Sequence, residues 1–336
     1  SSRIGVKTGG GKLFNDKATL SANLEADFTA RSNSNSFRLR QAWIKLSFNK
    51  QTLLMGRTWH PMFTTEVFPA TLSINAGAPF NPFNRSPQIR YELTPSDKWL
   101  ITAALLYQND YKNLGLDENG DVTNQLSLMR TGMVPNMHLQ AMYKHPLVSL
   151  GAFVDYKSLM PKTKTEGSLG VFKTDETIES YAGGLFAKFK KDKLLVKTKA
   201  MVGQNLTDHL MTGGYAIRTQ NAETGFETYT VSNHFNAWIN AEYGQSFVFG
   251  LFVGYNRNLG FASNLFETKQ VFARGADLAY LYRVSPYVKW QHQRLELWFE
   301  TELTTAAYGE IQYETMVGSA MPLKFQMSDC SFLVFI

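Results

Sequence analysis

Apolar and polar residues of this chain alternate with a period of two over unusually long stretches. The clearest stretch covers residues 18–30, where Ala18, Leu20, Ala22, Leu24, Ala26, Phe28 and Ala30 alternate with Thr19, Ser21, Asn23, Glu25, Asp27 and Thr29. A period of two is typical of a β-strand with one apolar face. Strands in globular proteins usually have about 5–6 residues, whereas a tilted strand that crosses a bilayer needs about 9–11. The stretch is therefore long enough to span a membrane.

Similar runs recur throughout the chain, and the lengths of their connections alternate. The further runs are 37–48, 52–59, 87–93, 99–108, 138–144, 148–157, 177–189, 194–203, 232–243, 247–256, 279–291 and 295–304. Turns of two or three residues alternate with longer polar loops at 31–36, 60–86, 110–136, 158–176, 205–228, 257–275 and 307–321. This alternation is typical of outer-membrane barrels. We therefore predict an all-β fold, a transmembrane antiparallel β-barrel that forms one domain over residues 1–336; the alternative is a soluble β-protein.

The number of strands is open between two values. About fifteen runs are visible if residues 3–10 and a poorly patterned run at 323–336 are included. Bacterial single-chain barrels have an even number of strands. One further strand before Ser1 would give sixteen, and exclusion of residues 1–13 from the barrel would give fourteen.

Composition agrees with a barrel and narrows the range of partners. No segment of the 336 residues approaches the about 18 consecutive apolar residues of a membrane helix, and lipid admits only helices and closed barrels. The net charge of +6 favours small anions, or lipopolysaccharide around the barrel beside the outer-membrane lipid. The basic residues are dispersed, which argues against nucleic acid. Cys330 is the one cysteine, so an internal disulfide is excluded.

Five arginines are concentrated in the stretch 37–93, and we predict that they line an anion-binding pore constriction: Arg38, Arg40, Arg57, Arg85 and Arg90. Rings of basic residues in a pore favour anions. Arg90 alternates with Ile89 and Tyr91, so it is expected to point inward. The alternation reverses near Gln41, so Arg38 and Arg40 point inward if a β-bulge lies there. The alternative is that the arginines pair with lumen carboxylates such as Glu25, Asp27 or Glu92.

The loop at 60–86 is the predicted narrowest part of the channel. It has about 27 residues, longer than an ordinary loop. We expect it to fold inward as a constriction loop, anchored on the inner wall by Phe63, Phe68, Phe80 and Phe83. The alternative is an extracellular loop that packs on a neighbouring protomer.

An opposing acidic wall is predicted from strands late in the chain: Glu242, Glu296, Glu300 and Glu302. A basic wall that faces an acidic one would set up a transverse field across the channel.

Metal, cofactor and catalytic signals are weak. Asp117, Asn119 and Asp121 resemble a Ca²⁺ loop, but glycine and glutamate are not at the positions that an EF-hand requires. The six histidines have no spacing typical of metal ligands. We therefore expect no cofactor and no metal; a structural Ca²⁺ at that loop is the less favoured alternative. Nothing marks a catalytic site, so the chain is not expected to be an enzyme.

The first third of the chain resembles the DcaP-like family of trimeric outer-membrane porins. The residues that carry the resemblance are Ser2–Lys7, Leu24–Phe28, Arg38–Trp43, Leu54–Trp59 and Arg85–Tyr91, in this order. The resemblance implies a sixteen-stranded, trimeric porin that prefers anions, with a first strand before Ser2. Arg57 stands where the family is expected to have a neutral residue.

These observations predict a passive porin of the bacterial outer membrane. Its solutes would be small, hydrophilic and preferably anionic, of the carboxylate type. Two alternatives remain: a structural or assembly barrel that is occluded by loops or partners, and a channel for hydrophobic substrates. Conductance in a planar bilayer distinguishes a channel from an occluded barrel.

Overall fold

The computed structural model describes residues 2–28, 37–72, 76–117, 121–265, 270–293, 295–309 and 329–335. Its strands, in chain order, are β1 (Arg3–Leu13), β2 (Ala18–Asp27), β3 (Arg38–Phe48), β4 (Gln51–Trp59), β5 (Arg85–Ser96), β6 (Trp99–Leu106), β7 (Leu114–Leu116), β8 (Val122–Asn124), β9 (Asn136–Lys144), β10 (Val148–Leu159), β11 (Lys164–Gly167), β12 (Gly170–Lys173), β13 (Ile178–Lys191), β14 (Leu194–Gln204), β15 (Gly213–Gln220), β16 (Glu227–Gly244), β17 (Phe247–Phe261), β18 (Val271–Arg274), β19 (Leu278–His292), β20 (Leu295–Tyr308) and β21 (Asp329–Phe335). The helical elements are one α-helix, α1 (Ser127–Gly132), and two 3₁₀ turns, Pro61–Phe63 and Leu206–His209.

Seventeen of these strands form one antiparallel sheet. The short strand β15 pairs with the start of β16 on one side and with the short strand β18 on the other. The other fifteen each pair with the next one along the chain, from β1 to β21, and make up the wall. β1 and β21 are its two edges among the described residues. Because Arg3–Leu13 pairs with β2 along its length, the fourteen-strand alternative, which left residues 1–13 out of the barrel, is wrong.

Alternation along the wall strands separates an apolar outer face from a mainly polar inner face. In β13, Leu185 is 66% exposed, whereas the next residue, Phe186, is 3% exposed. The same outer face carries exposed large apolar residues on most strands, among them Ile44, Ile89, Leu139, Val154, Ile239, Phe249 and Phe299. A wide apolar surface of this kind is typical of a face that contacts lipid or another protein. Among the described residues, no helix has both the length and the apolar character to cross a membrane.

The long connections pack together at one end of the wall. They share a buried cluster made of Leu128, Met129, Leu159, Ile178, Tyr215, Ile217, Val231 and Phe272. The opposite end has tight turns, in which Asn49, Asp192 and Gln293 adopt positive φ angles of 36°, 51° and 53°. This arrangement matches the alternation of loop lengths in the sequence.

A bulge in β3 explains the reversal of alternation near Gln41. In the pairing of β2 with β3, Gln41 lies opposite Glu25 and Leu39 lies opposite Ala26, so Arg40 has no partner in the register. Leu39 is exposed on the outer face and Arg40 is buried on the inner face. The bulge that the sequence required is therefore present, and it turns both Arg38 and Arg40 inward.

Candidate channel site

The residues between β4 and β5, here called the crossing segment (residues 60–84), contact strands that are distant in the sheet. The Lys199 ammonium donates to the carbonyl oxygens of Met62 and Phe63 at 2.7 and 3.1 Å. The amide of Ala70 donates to the Asn240 side chain at 2.9 Å, and the amide of Leu72 donates to the Glu300 carboxylate. These partners lie on β14, β16 and β20, so the segment is held against their inner faces.

Apolar side chains of the crossing segment also pack on the inner wall. Met62, Val67 and Phe80 share one buried cluster with residues of β9, β10, β13, β14, β16 and β17: Met142, Phe153, Phe186, Met201, Trp238 and Phe252. Leu206 and Met211, which follow β14, complete the cluster. Burial of this many apolar groups removes water from part of the interior and stabilises the position of the segment.

The four phenylalanines that the sequence singled out lie in different surroundings. Phe80 is buried against Phe252, with ring centroids 6.1 Å apart. Phe63 is buried and stacks on Trp59 at 4.1 Å, near Phe83. Phe68 is partly exposed and stacks on Phe63 at 5.5 Å.

Two of the predicted arginines form a network with carboxylates of β2. Arg38 binds Asp27 in a bidentate arrangement, with atoms 3.1 and 2.8 Å apart. Arg40 lies 2.7 Å from both Glu25 and Asp27. Asp27 is fully buried and accepts from both guanidinium groups, so these charges are largely compensated within the wall.

Arg57 and Arg85 converge on Asp110, in the connection after β6, at 3.1 and 3.2 Å. The Arg85 guanidinium also lies 4.5 Å from the Trp59 ring centroid. Arg57 is two residues from Met55 in β4, and Arg85 is four residues from Ile89 in β5. Strand alternation therefore assigns each arginine to the same face as that apolar residue, which is exposed on the outer side. Arg57 and Arg85 nevertheless lie largely buried near the ends of β4 and β5, with side chains 16% and 3% exposed.

Arg90 lies on the inner face, as its alternation predicted, and pairs with Glu92 at 3.2 Å. Among the described ion pairs, Arg90 shares no carboxylate partner with the other four arginines. The structure thus brings Arg38 and Arg40 together, joins Arg57 to Arg85, and keeps Arg90 separate.

The predicted acidic residues are interleaved with basic ones. Arg283 lies 2.9 Å from both Glu300 and Glu302, and Lys289 lies 3.0 Å from Glu242. Glu296 is exposed, and it accepts a hydrogen bond from the Trp298 indole. Three of the four carboxylates therefore lie beside inner-face cations.

A lysine-lined cavity of about 360 Å³ was not predicted from the sequence. Its lining comes from the crossing segment, β13 and β14: Thr65, Glu66, Phe68, Lys188, Lys190, Leu195 and Lys197. Among the described lining residues, Glu66 is the one carboxylate. The lysines sit on alternate positions of their strands, with Lys199 two residues beyond Lys197, and this pattern is visible in the sequence as a polar face.

Glu66 anchors the crossing segment to this basic surface. Its carboxylate lies 2.9 Å from the Lys144 ammonium and 3.9 Å from that of Lys188. The hydrogen bond from Lys144 holds the pKa of Glu66 below its ordinary value. Glu66 is therefore ionised at neutral pH.

The fold brings together three histidines that do not have the spacing of metal ligands in the sequence. His60 of the crossing segment, His138 of β9 and Asp155 of β10 offer one ligand atom each within 4.8 Å of one another. His209 lies next to them, with its ring centroid 4.6 Å from that of His60. Sequence spacing missed this group because its members come from four separate elements.

The Ca²⁺ loop can be followed only in part. Asn119 lies outside the described residues. The Asp117 carboxylate accepts from the backbone amide of Asp121 at 2.9 Å, which closes a local turn.

No protein-family model and no curated protein matches the chain, but several solved structures are similar to it. The outer membrane channel DcaP of Acinetobacter baumannii aligns with a TM-score of 0.65 and 12% identity, over 92% of this chain and 79% of that one. A trimer form of OmpT from Vibrio cholerae aligns at 0.56 and 12%, over 98% and 87%. An anion-selective porin from Comamonas acidovorans aligns at 0.53 and 9%, over 90% and 78%.

These likenesses confirm the predicted fold class and, at the level of fold, the resemblance to DcaP. The chain has the fold of bacterial outer-membrane channels and porins. Together with the apolar outer face of the wall, this fold confirms the predicted location in the bacterial outer membrane.

Proposed function

We propose that this chain is a passive diffusion channel for small hydrophilic solutes, with a preference for anions of the carboxylate type. The observation that carries the preference is the lysine-lined cavity between the crossing segment and the wall. The cavity is lined by three lysines, Lys188, Lys190 and Lys197. Glu66 is the one carboxylate among its described lining residues. Lysine side chains in a water-filled pore lower the energy of an anion and raise that of a cation.

The crossing segment supplies the constriction in this proposal. Its hydrogen bonds to Lys199, Asn240 and Glu300 hold it across the interior. Solutes would pass between this segment and the remaining inner wall, where Phe68 is partly exposed beside Lys197, whose ammonium lies 5.2 Å from the ring centroid.

The arginines would contribute less than the lysines to selectivity. Glu25 and Asp27 compensate Arg38 and Arg40, and Glu92 compensates Arg90. Arg38 remains partly exposed, so it can still attract an anion. We therefore assign Arg38, Arg40 and Arg90 mainly to the rigidity of the wall, and Arg57 and Arg85 to its rim. Glu300 and Glu302, clustered on Arg283, would form an acidic patch on the far wall.

We further propose that the channel is a homotrimer embedded in outer-membrane lipid and lipopolysaccharide, with no catalytic role. Support for the trimer comes from the Vibrio cholerae structure, which is described as a trimer form. The broad apolar outer face supports contact with lipid or with a neighbouring protomer.

A second candidate is an occluded structural barrel. It is favoured by the apolar cluster of the crossing segment, which fills part of the interior between β9 and β17. The two candidates differ in whether ions pass.

The deciding experiment is a planar-bilayer recording of the purified chain in a KCl concentration gradient. We expect ion conductance and a reversal potential of the sign for anion preference. The variant Lys188→Gln/Lys190→Gln/Lys197→Gln should shift that potential toward cations. The control Lys164→Gln/Lys173→Gln removes exposed charges from the β11–β12 hairpin and should leave it unchanged.

Absence of conductance from correctly folded protein would favour the occluded barrel. A cation-selective wild type, or an equal shift in the control, would contradict the proposed anion preference.

A further inference from the structure

The buried group formed by His60, His138 and Asp155 has the composition of a metal site. His60 and His138 are 1% and 3% exposed, and Asp155 is 8% exposed. The Asp155 carboxylate lies 3.6 Å from His60 Nε2 and 3.0 Å from His138 Nδ1. Two imidazoles and one carboxylate are ligands that Zn²⁺ and other first-row transition metals accept.

Several nitrogens of this group have no hydrogen-bond partner among the described residues. These atoms are His60 Nε2, His138 Nε2 and His209 Nδ1. The other nitrogen of His60 is already engaged, because Nδ1 accepts from the amide of Met62 at 3.2 Å. Buried polar atoms without a partner are uncommon and call for an explanation. In His60, Nδ1 is held by the Met62 amide, and the other ring nitrogen, Nε2, points toward Asp155.

Charge balance gives a second, independent argument. The nearby Lys157 ammonium lies 2.7 Å from Asp208 Oδ1 and also donates to the carbonyl oxygen of Asn205 at 2.6 Å. In the described contacts, Asp155 forms ion pairs with the imidazoles of His60 and His138, and His209 also lies close enough to interact with its charge. A buried carboxylate is costly unless a cation compensates it.

The imidazoles of the two loop histidines are suited to act as ligands. Burial lowers the pKa of His60 well below its ordinary value and also lowers that of His209. Neutral imidazole is the form that binds a metal.

We propose that His60, His138 and Asp155 bind one divalent first-row transition metal ion, such as Zn²⁺, with His209 beside the site. A tetrahedral ion with bonds of about 2.0–2.2 Å needs donors about 3.3–3.6 Å apart. The two separations from Asp155 are close to this range, and the three ligand atoms lie within 4.8 Å of one another. The 3.0 Å contact of His138 Nδ1 with Asp155 is a hydrogen bond in the metal-free chain, which the ion would replace. The nitrogen-rich ligand set disfavours Ca²⁺ and Mg²⁺, which prefer oxygen.

The ion would tie the beginning of the crossing segment to the wall. His60 directly precedes the 3₁₀ turn Pro61–Phe63, whereas His138 and Asp155 lie on β9 and β10. A metal at this place would fix where the segment leaves β4. The inference concerns the wall and the segment, and it does not depend on which ions pass through the channel.

The test uses the full chain, purified in detergent and treated with EDTA. Equilibrium dialysis against Zn²⁺, with metal analysis of the protein, should give one ion per chain. Addition of Co²⁺ should produce the visible absorption of a cobalt ion bound by nitrogen and oxygen. The loaded wild type should unfold at a higher temperature than the metal-free protein.

The variants His60→Gln, His138→Gln and Asp155→Asn should each weaken Zn²⁺ binding by more than about tenfold, the smallest cost of losing even an outer-shell partner. His292→Gln changes an exposed histidine and is the matched control. The proposal is overturned if the wild type takes up no Zn²⁺ and gives no Co²⁺ spectrum, or if His292→Gln weakens binding as much as His60→Gln. The cobalt spectrum of the wild type remains decisive if a variant does not fold.

Discussion

Asp27 illustrates how single residues in the wall balance their charges. It is fully buried in β2 and lies between Arg38 and Arg40, which the bulge in β3 turns to the same side. Loss of one member of a buried ionic group leaves the remaining charges without compensation, which costs more than the group contributes when it is intact. Arg38 and Arg40 were predicted to bind anionic solutes. In the structure their guanidinium groups already bind the carboxylates of Glu25 and Asp27.

The substitution Asp27→Asn should therefore destabilise the barrel by about 3 kcal/mol, since two arginines lose their shared carboxylate. Urea titration of the protein in lipid vesicles measures this change. Asp16→Asn is the control, because Asp16 pairs with Lys12 at an exposed turn, where such pairs contribute little. Equal stability of the Asp27→Asn variant and wild type would contradict the assignment of Asp27 as the centre of the network.

At the scale of elements, the crossing segment owes its position to close contacts with individual wall strands. Gly254 on β17 is an example, because a Cβ atom there would lie 2.5 Å from the Phe80 ring. Glu66, by contrast, holds the segment through ion pairs with lysines of β9 and β13. Apolar packing and ion pairing thus act at different points along the same segment.

Gly254→Ala should displace Phe80 and destabilise the protein by about 1–3 kcal/mol, the usual cost of overpacking. We also expect larger conductance fluctuations in single-channel recordings, because the crossing segment loses the packing of Phe80 against β17. Gly183→Ala is a matched control on β13, where the nearest atom would be 3.5 Å from the new Cβ. If the conductance of Gly254→Ala fluctuates no more than that of the wild type, the packing of Phe80 does not hold the crossing segment in place.

Acidification should act on the crossing segment through Glu66. The hydrogen bond from Lys144 holds the pKa of this carboxyl below its ordinary value of 4.5, so its ion pairs contribute their full stability above pH 4.5. That stability is lost as the pH falls through the lowered pKa. The pairs are partly exposed, so the contribution is below about 1 kcal/mol.

Reversal potentials provide the measurement for Glu66. As the pH falls through the lowered pKa of Glu66, the wild type should become more anion-selective, because the cavity keeps its lysines and loses its carboxylate. Glu66→Gln should show this stronger preference already at pH 7 and change less on acidification. If both proteins respond equally to pH, other carboxyl groups control the effect.

At the scale of the whole molecule, the wall separates a surface for lipid from a polar interior. Leu185 is exposed near the middle of β13, on the outer face. Leu169 is similarly exposed, but it lies in the turn between β11 and β12, outside the wall. The two leucines differ in their expected surroundings rather than in their exposure.

Leu185→Arg should destabilise the folded barrel in lipid vesicles by about 2–4 kcal/mol, because an arginine near the bilayer centre is costly. Leu169→Arg should leave the stability nearly unchanged. Denaturant titrations of both variants in the same vesicles provide the comparison. Equal effects of the two substitutions would place Leu185 outside the hydrocarbon layer.

The sequence by itself determined the architecture of this protein. Alternation over runs longer than ordinary strands specifies an antiparallel wall with an apolar outer face, and loop lengths specify which end carries the long connections. The reversed alternation at Gln41 also indicated where a bulge would turn Arg38 and Arg40 inward, and the register shift lies there. These features are local, because the period-two pattern depends only on neighbouring residues and on the face that each one occupies.

The tertiary structure alone decided which charges meet across the interior. Asp110 reaches Arg57 and Arg85, Glu66 reaches Lys144, and His60 reaches His138 and Asp155. Parity tells which face a side chain occupies, but it does not tell which remote strand an irregular segment will contact. The path of the crossing segment depends on the sum of many packing and hydrogen-bond contacts between distant elements, and no local pattern in the chain encodes that sum.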